Sequence, residues 1–398
     1  MSRIPSLTCP APVLVLLLWA AGLGAAGQFA KIAVPFAEFA ALYPDAGARI
    51  GWLLTVISLI GAVFGALAGA VVSRMGLARM LLGGLVIGGV ISLWQASLPG
   101  FPLFLVSRVF EGASHLAIVV AAPTLIAEIA PDRYRGAAMA LWSTFFGVTF
   151  AGVALFGLPL VAQAGPEALF GLHGMFLLVM AAVLALGLRG RDTGARRVGD
   201  GAPAGSVVGR MIAACRSPFI AAPGLGWLFY TLTFVSLLAV LPERLDPALR
   251  AQVTAAMPLT GTAVALICVP VLMRWRPASR LMPLGFAGAA LVAGVSGVAG
   301  LMGLALACVG LFACLGVVQG AGFAAVPELN LSADDRAMGY GLMAQTGNLG
   351  NLLGTPVLLA LLDLGDVPVM MGAVAATYAL AVGALALLAA RRRRQMGL

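Results

Sequence analysis

Charge is what this 398-residue sequence has least of: Asp, Glu, Lys and Arg make up 10% of it, against 61% hydrophobic residues and a mean hydropathy of +1.04. A water-soluble chain of this length needs far more polar surface, so a soluble enzyme or binding domain is excluded. Lysine is almost missing. Lys31 is the sole example, and its G-Q-F-A-K context is no Walker A phosphate loop, which removes ATP-driven pumping. Neither H-E-x-x-H nor G-x-S-x-G occurs, and no enzyme activity is expected. The five cysteines (Cys9, Cys215, Cys268, Cys308, Cys314) form no C-x-x-C pair, so buried thiols are expected rather than disulfides. Sixteen methionines accompany no H-x-x-x-M spacing, and neither a metal site nor a cofactor is expected. The net charge of +9 does not indicate nucleic acid, because the arginines lie in short runs between apolar segments instead of along a groove.

What the chain has is long apolar stretches. They fall at about 11–36, 51–72, 78–98, 102–127, 137–159, 168–188, 219–241, 252–273, 281–299, 303–327, 338–362 and 367–390. Each is near the 20 or so residues that one helical bilayer crossing needs. Twelve transmembrane helices use up most of the chain, and the expected class is an all-α membrane protein. The first run continues to Phe36 and reads as a retained helix, not a cleaved signal. The ninth and tenth segments, joined near Gly300, read as a tight helical hairpin. Basic residues concentrate in alternate loops and at both termini, whereas only Arg49, Arg244 and Arg250 fall in the other loops. Positive charge stays on the cytoplasmic side, so both termini are expected there, in the cell inner membrane.

The two halves of the chain echo each other. Asp132-Arg133-Tyr134-Arg135-Gly136 after the fourth segment has a counterpart in Asp335-Arg336-Ala337-Met338-Gly339 after the tenth. Arg74 and Arg79 after the second match Arg274, Arg276 and Arg280 after the eighth. Val34-Pro35 ends the first segment, and Leu241-Pro242 ends the seventh. The expected organisation is a six-helix half over 1–190, a polar linker over 191–218, and a second six-helix half over 219–398. An even number of helices per half makes the repeats parallel, as in one large class of transporters.

Three motifs carry a resemblance to a known family. Gly69, Ser73-Arg74-Met75-Gly76 and Arg79 sit where a G-x-x-x-D-R-x-G-R loop would, with Ser73 at its Asp position. Arg108-Val109-Phe110-Glu111-Gly112 fits R-x-x-x-G, and Asp132-Arg133 follows the fourth segment. On these the chain resembles the major facilitator superfamily over essentially its whole length. The resemblance implies a twelve-helix fold whose halves rock about a central cavity. It also implies a cytoplasmic gate at Gly69, Ser73, Arg74, Gly76, Arg79, Asp132 and Arg133, and an Arg108 associated with proton coupling. The fifth segment lacks the G-P signature of drug/proton antiporters, which counts against a multidrug exporter.

Ionisable groups inside a membrane span cost several kcal/mol unless they face a cavity or a partner. Arg108, Glu111 and His115 share one face of the fourth segment by their i, i+3, i+7 spacing. They read either as a substrate- and proton-handling face or as an ion pair with a histidine satisfied by a neighbouring helix. Lys31, with Gln28 one turn earlier, reads either as a second positive charge for an anion or as a side chain snorkelling to the interface. Trp142 with Phe145, and Trp227 with Tyr230, are candidates to stack on a substrate ring. Gln319, Asn348 and Asn351 are candidate cavity-lining amides. Glu38 and Glu128 read as helix-end residues with solvated or gating roles, and His173 as an interfacial histidine. The expected function is secondary active transport of a small organic anion with H+, by a monomer in the lipid bilayer. An efflux carrier for hydrophobic compounds, or a transporter-shaped assembly or sensor protein, would share the fold.

Overall fold

A computed structural model describes residues 9–65, 76–189, 207–296, 301–331 and 333–397. Among these residues the chain is helical, and its helix boundaries follow proline and glycine. Helix α1 (Ala11–Ala33) starts at a proline and ends ahead of Pro35, which precedes α2 (Phe36–Leu42). The next crossing is broken: a 3-10 stretch Pro44–Ile50, α3 (Gly51–Thr55), a 3-10 turn Val56–Ser58, then α4 (Leu59–Phe64). There follow α5 (Leu77–Gln95), α6 (Phe101–Ile129), α7 (Asp132–Ser143) and α8 (Phe145–Gly152). A π-helical turn Val153–Gly157 leads into α9 (Leu158–Gly187). After the short α10 (Val207–Arg216) come α11 (Ala221–Val240) and α12 (Pro247–Ala263), whose first turn is capped by the Asp246 carboxylate accepting from the Ala248 N–H at 2.8 Å. A second π turn, Val264–Cys268, joins α12 to α13 (Val269–Leu272). The chain closes with α14 (Ala278–Ser296), α15 (Leu301–Leu329) and α16 (Ala333–Gln395).

Among the described residues, ten helical stretches are long and apolar enough to cross a bilayer. Two of these, Leu141–Gly187 and Met338–Gln395, run to 47 and 58 residues, well beyond one crossing. Each is interrupted: Gly165 stands at φ 76° in the first, and Asp366 at φ 64° in the second. The hairpin near Gly300 lies outside the described residues.

Large apolar side chains cover the outside, Phe156 being 76% and Leu306 70% exposed. That is the exterior of a multi-pass membrane protein, solvated by lipid tails. Inside, Leu14, Leu18, Leu81, Ile118, Leu125, Leu177 and Leu184 bind α1, α5, α6 and α9 into one apolar core. A larger core runs from Phe29 and Phe39 through Phe234, Phe286 and Phe312 to Tyr378. The cysteines correct the sequence reading in part. None is paired in a disulfide among the described residues, but only Cys308 is buried, while Cys215 and Cys268 are exposed. Cys268 ends a π turn that contributes nothing to the core, and so faces outward.

Polar contacts mark the two ends of the bundle. At one end the Tyr43 hydroxyl donates to the Pro99 carbonyl at 2.7 Å, and Arg250 meets Glu38 at 3.4 Å and also Glu243. Glu38 and Arg250 are 212 positions apart, so this cluster fastens early and late helices together. At the other end the Glu328 carboxylate accepts from the Ala278 N–H at 2.6 Å, and Arg392 donates to the Pro218 carbonyl at 2.9 Å.

Two motif glycines have steric reasons. Gly76 opens α5 at φ 80°, a conformation that side-chain-bearing residues rarely adopt. Gly112 lies against the 3-10 turn Val56–Ser58, where an added Cβ would stand 2.2 Å from the Ile57 carbonyl oxygen. Only hydrogen fits there. Gly112→Ala is therefore expected to destabilise the protein by about 1–3 kcal/mol, the usual cost of overpacking. Gly83→Ala, where a Cβ meets nothing within 4 Å, is the control. Thermal unfolding in detergent checks both, and equal midpoints for the two variants would contradict the assignment.

Candidate functional site

The site grows from the inward face of α6. Ser107, Arg108, Glu111, Ser114 and His115 recur at helical spacing and are buried, while Phe110 on the opposite side is exposed to lipid. Arg108 and Glu111 are 0% exposed. At that depth an ion cannot hold itself by hydration and must find partners in the protein.

Glu111 supplies most of them. Its Oε1 accepts from the Lys31 ammonium at 2.6 Å, and its Oε2 from Arg108 Nη1 and from Gln95 Nε2, the latter at 3.0 Å. Lys31 donates further to Gln95 Oε1 at 2.8 Å and Ser92 Oγ at 2.9 Å, using all three ammonium hydrogens. Arg108 Nε donates to the Leu53 carbonyl at 2.8 Å, where α3 tightens into its 3-10 turn. Gln95 Nε2 also donates to Ser107 Oγ at 2.9 Å. Helices α1, α3, α5 and α6 thus meet on one carboxylate.

Rings close the cluster on the Glu38 side. Phe170 lies under the Lys31 ammonium, 4.6 Å from its centroid, and packs edge-on against Phe39 and Phe104 at 5.6 Å. Beyond them lies the Glu38–Arg250–Glu243 group. Glu38 therefore pairs across the bundle, whereas Glu128 is exposed.

Of the residues singled out from sequence, Lys31, Arg108 and Glu111 come together. Lys31 does not snorkel: it is buried, and its charge is spent on Glu111. His115 stands apart from this trio, with Nδ1 3.1 Å from the Ala25 carbonyl and its ring edge-on to Phe29 at 5.0 Å. Gln28 Nε2 donates to Ser114 Oγ at 2.8 Å, and Ser114 Oγ to the Gly84 carbonyl at 2.7 Å. The reading of His173 as interfacial is overturned. His173 is buried, its Nε2 2.9 Å from the Gly24 carbonyl and its Nδ1 2.9 Å from Ser92 Oγ. It joins the charged cluster because α9 packs against both α1 and α5 at the level of Lys31.

The other candidates are placed elsewhere. Trp142 is buried and packs on Phe145 at 4.6 Å, with Phe146 and Phe29 continuing the ring series. Trp227 stacks on Tyr230 at 4.6 Å, and Phe323 meets Trp227 edge-on at 4.8 Å. The Tyr230 hydroxyl donates to Gln319 Oε1 at 3.2 Å. Asn348 fits against Gly61, and Gln345 Nε2 donates to the Ala62 carbonyl at 3.1 Å, so α16 lies along α4. Asn351 Oδ1 is buried without a partner among the described residues. Of the residues in the expected gate, Gly69, Ser73 and Arg74 lie outside the described residues, as does the side chain of Asp132. Gly76 is described above, Arg79 is exposed, and Arg133 stacks on Tyr134 at 4.5 Å.

Sequence reasoning passed over Ser92, Gln95 and Ser107, and set His173 at an interface. The one available signal was Ser92 and Gln95 at i, i+3 near the end of α5, which puts both on one face.

Charge does not balance within the cluster: two cations share one carboxylate. Moreover, the Arg108 Nη2 donor is buried with no partner among the described residues. Such an arrangement can receive an anion.

Comparison with known proteins agrees with this architecture. The Major Facilitator Superfamily model matches residues 14–355. A 3-(3-hydroxy-phenyl)propionate transporter of Escherichia coli (strain K12) is 27% identical over 362 residues, covering 87% of this chain and 86% of that protein.

If Glu111 is the hub, removing it must hurt more than removing either dependent. Glu111→Gln leaves two buried cations without a counter-ion and is expected to cost about 3–5 kcal/mol of stability. Lys31→Met leaves the Arg108–Glu111 pair intact and should cost clearly less. Denaturant unfolding of the purified variants gives the order, and Lys31→Met proving the worse would refute it.

Proposed function

The chain belongs to the major facilitator superfamily, and we propose that it carries a small aromatic carboxylate together with a proton across the inner membrane by alternating access. The observation that carries this reading is the surplus positive charge held by Lys31 and Arg108 over the single carboxylate Glu111, with Arg108 Nη2 left unpaired. A guanidinium in a dry site binds a carboxylate through charge-assisted hydrogen bonds. A carrier for neutral hydrophobic compounds has no use for a buried positive surplus. Aromatic surfaces supply the rest of the recognition: Phe29, Trp142 and Phe145 before the 190–206 stretch, and Trp227, Tyr230 and Phe323 after it, with Gln319 as an amide beside them. The transporter of an aromatic acid among the relatives supports the substrate class.

In this reading the helices breaking at Gly165 and Asp366 each double back, which makes twelve crossings in two parallel six-helix repeats, 1–190 and 219–398, joined by a cytoplasmic linker. The Arg-rich segments face the cytoplasm, and the Glu38 end faces outward. Arg250 then latches the outer mouth, and rocking of the repeats exposes the cluster alternately to the two sides.

Uptake of labelled 3-(3-hydroxyphenyl)propionate into proteoliposomes should saturate, rise with an acid-outside gradient and collapse with a protonophore. The corresponding propanol, lacking the carboxylate, should not enter. Arg108→Lys keeps the charge but loses the free Nη2 donor. A hydrogen bond to a charged group is worth roughly 1.5–3 kcal/mol, so KM should rise by about tenfold or more. Equal uptake of acid and alcohol would refute the anion reading.

A further inference from the structure

The lipid-facing sides of α14 and α16 end in arginine at the same end of the bundle. On α14 the exposed residues Leu284, Leu291 and Val295 recur at helical spacing, and Arg280 continues their stripe toward the helix start. On α16 the stripe is Leu380 and Leu387, 66% and 69% exposed, and the exposed Arg391 and Arg394 extend it. The inward face of the same helix passes through Tyr378, Ala381 and Leu385 to Arg392, which is buried. The last turns of α16 thus sort their arginines: Arg392 turns in, whereas Arg391 and Arg394 turn out.

The two stripes flank one seam. Phe286 and Tyr378 pack with ring centroids 5.7 Å apart, joining α14 to α16. The Glu328 carboxylate accepts from the Ala278 and Ser279 N–H groups at 2.6 and 3.2 Å, and its charge also acts on Arg392. The start of α14 and the end of α16 therefore lie side by side, and the two helices run antiparallel. Counted from the Phe286–Tyr378 contact, α16 extends further at this end. Arg391 and Arg394 come level with the loop before α14, where Arg274 and Arg276 are exposed on either side of Trp275.

Glu328 cannot neutralise this group, because both its oxygens are given to backbone N–H groups. Among the described residues, Arg274, Arg276, Arg280, Arg391 and Arg394 make no ion pair. They cap apolar stripes that lipid tails must cover, so what meets them is the headgroup layer. A guanidinium fork matches a phosphodiester, whereas a zwitterionic headgroup brings a cation of its own that these arginines repel. Trp275, 71% exposed beside them, is of the residue type that settles in that layer.

We propose that the α14–α16 seam binds an anionic phospholipid, with its phosphate held by Arg280, Arg391 and Arg394. Its tails lie along Leu284 and Leu291 on one side and Leu380 and Leu387 on the other. The site is separate from the Lys31–Arg108–Glu111 cluster and requires no substrate.

The test titrates the full-length protein in detergent with dioleoyl-phosphatidylglycerol or dioleoyl-phosphatidylcholine and counts bound lipid by native mass spectrometry. The wild type should hold phosphatidylglycerol about tenfold or more tighter than phosphatidylcholine. Arg280→Gln with Arg391→Gln should weaken phosphatidylglycerol binding by about tenfold or more and leave phosphatidylcholine unchanged. Arg49→Gln with Arg189→Gln removes the same charge from exposed positions elsewhere and should bind both lipids as the wild type does. Equal affinity for the two lipids, wild-type binding by the seam variant, or equal weakening by both double variants would overturn the site. Displacement of the lipid by inorganic phosphate at a matching concentration would reveal a bare anion contact and overturn the lipid assignment. Should the seam variant fail to fold, Arg394→Gln decides: a fall in phosphatidylglycerol affinity of about threefold or more supports the site, and wild-type binding refutes it.

Discussion

A single carboxylate shared by two cations is the constraint on which this bundle depends. Glu111 neither faces water nor ends a helix, so its charge is tolerable only because Lys31 and Arg108 stand against it from two different helices. The reverse also holds, since neither cation has another carboxylate among its described partners. The attraction fixes α1 against α6, and the leftover hydrogens of both cations bring in α3 through Leu53 and α5 through Ser92 and Gln95. Four helices are thereby referenced to one point, in a medium where lipid supplies no hydrophobic drive for them to associate. Packing around that point follows from it: Gly112 has no side chain because the helix that carries Glu111 presses on Ile57.

The surroundings keep that point dry and electrically uneven. Phe39, Phe104 and Phe170 close it with three mutually edge-on rings, one of which also takes up the Lys31 charge on its face. In the function proposed above, that surplus charge, acting at long range in low-dielectric surroundings, is what draws an anion toward Arg108 with little competition from solvent. In the proposed cycle the same rings, and the Arg250 group beyond them, are what must separate for the substrate to enter. The two sets of interactions differ in kind. The inner one is buried and shared by four helices, whereas the outer one joins residues that are partly solvated and 212 positions apart. The outer set is the weaker and is the one suited to break first.

How much of this was readable in the sequence follows from the physics of each part. Helix positions were, because bilayer thickness imposes a nearly fixed apolar length; α6 and α14 begin within a few residues of where composition puts them. Lys31, Arg108 and Glu111 were readable too, since a charge in an apolar run costs enough to need a reason. That they meet was only half readable: the i, i+3 pair is a property of one helix, but Lys31 comes from another, and no spacing rule relates them. Ser92, Gln95 and Ser107 were hard to read, the i, i+3 spacing of the first two aside, because neutral polar residues are cheap in membrane helices and occur for many reasons. His173 was misjudged because its neighbours Gly24 and Ser92 lie 149 and 81 positions away, and depth alone suggested an interface.

The sharing of Glu111 also governs how the protein can be made. Lys31 and Glu111 are separated by 80 positions, and His173 comes 142 positions after Lys31. At about 5–20 residues per second, roughly 4–16 s elapse between synthesis of the lysine and of its counter-ion. Throughout that interval the ammonium, two residues from the end of its helix, has only the interface to snorkel to. The buried seat of Lys31 exists only once α6 has supplied Glu111. The final depth of the first helix is therefore set by a residue made 80 positions later.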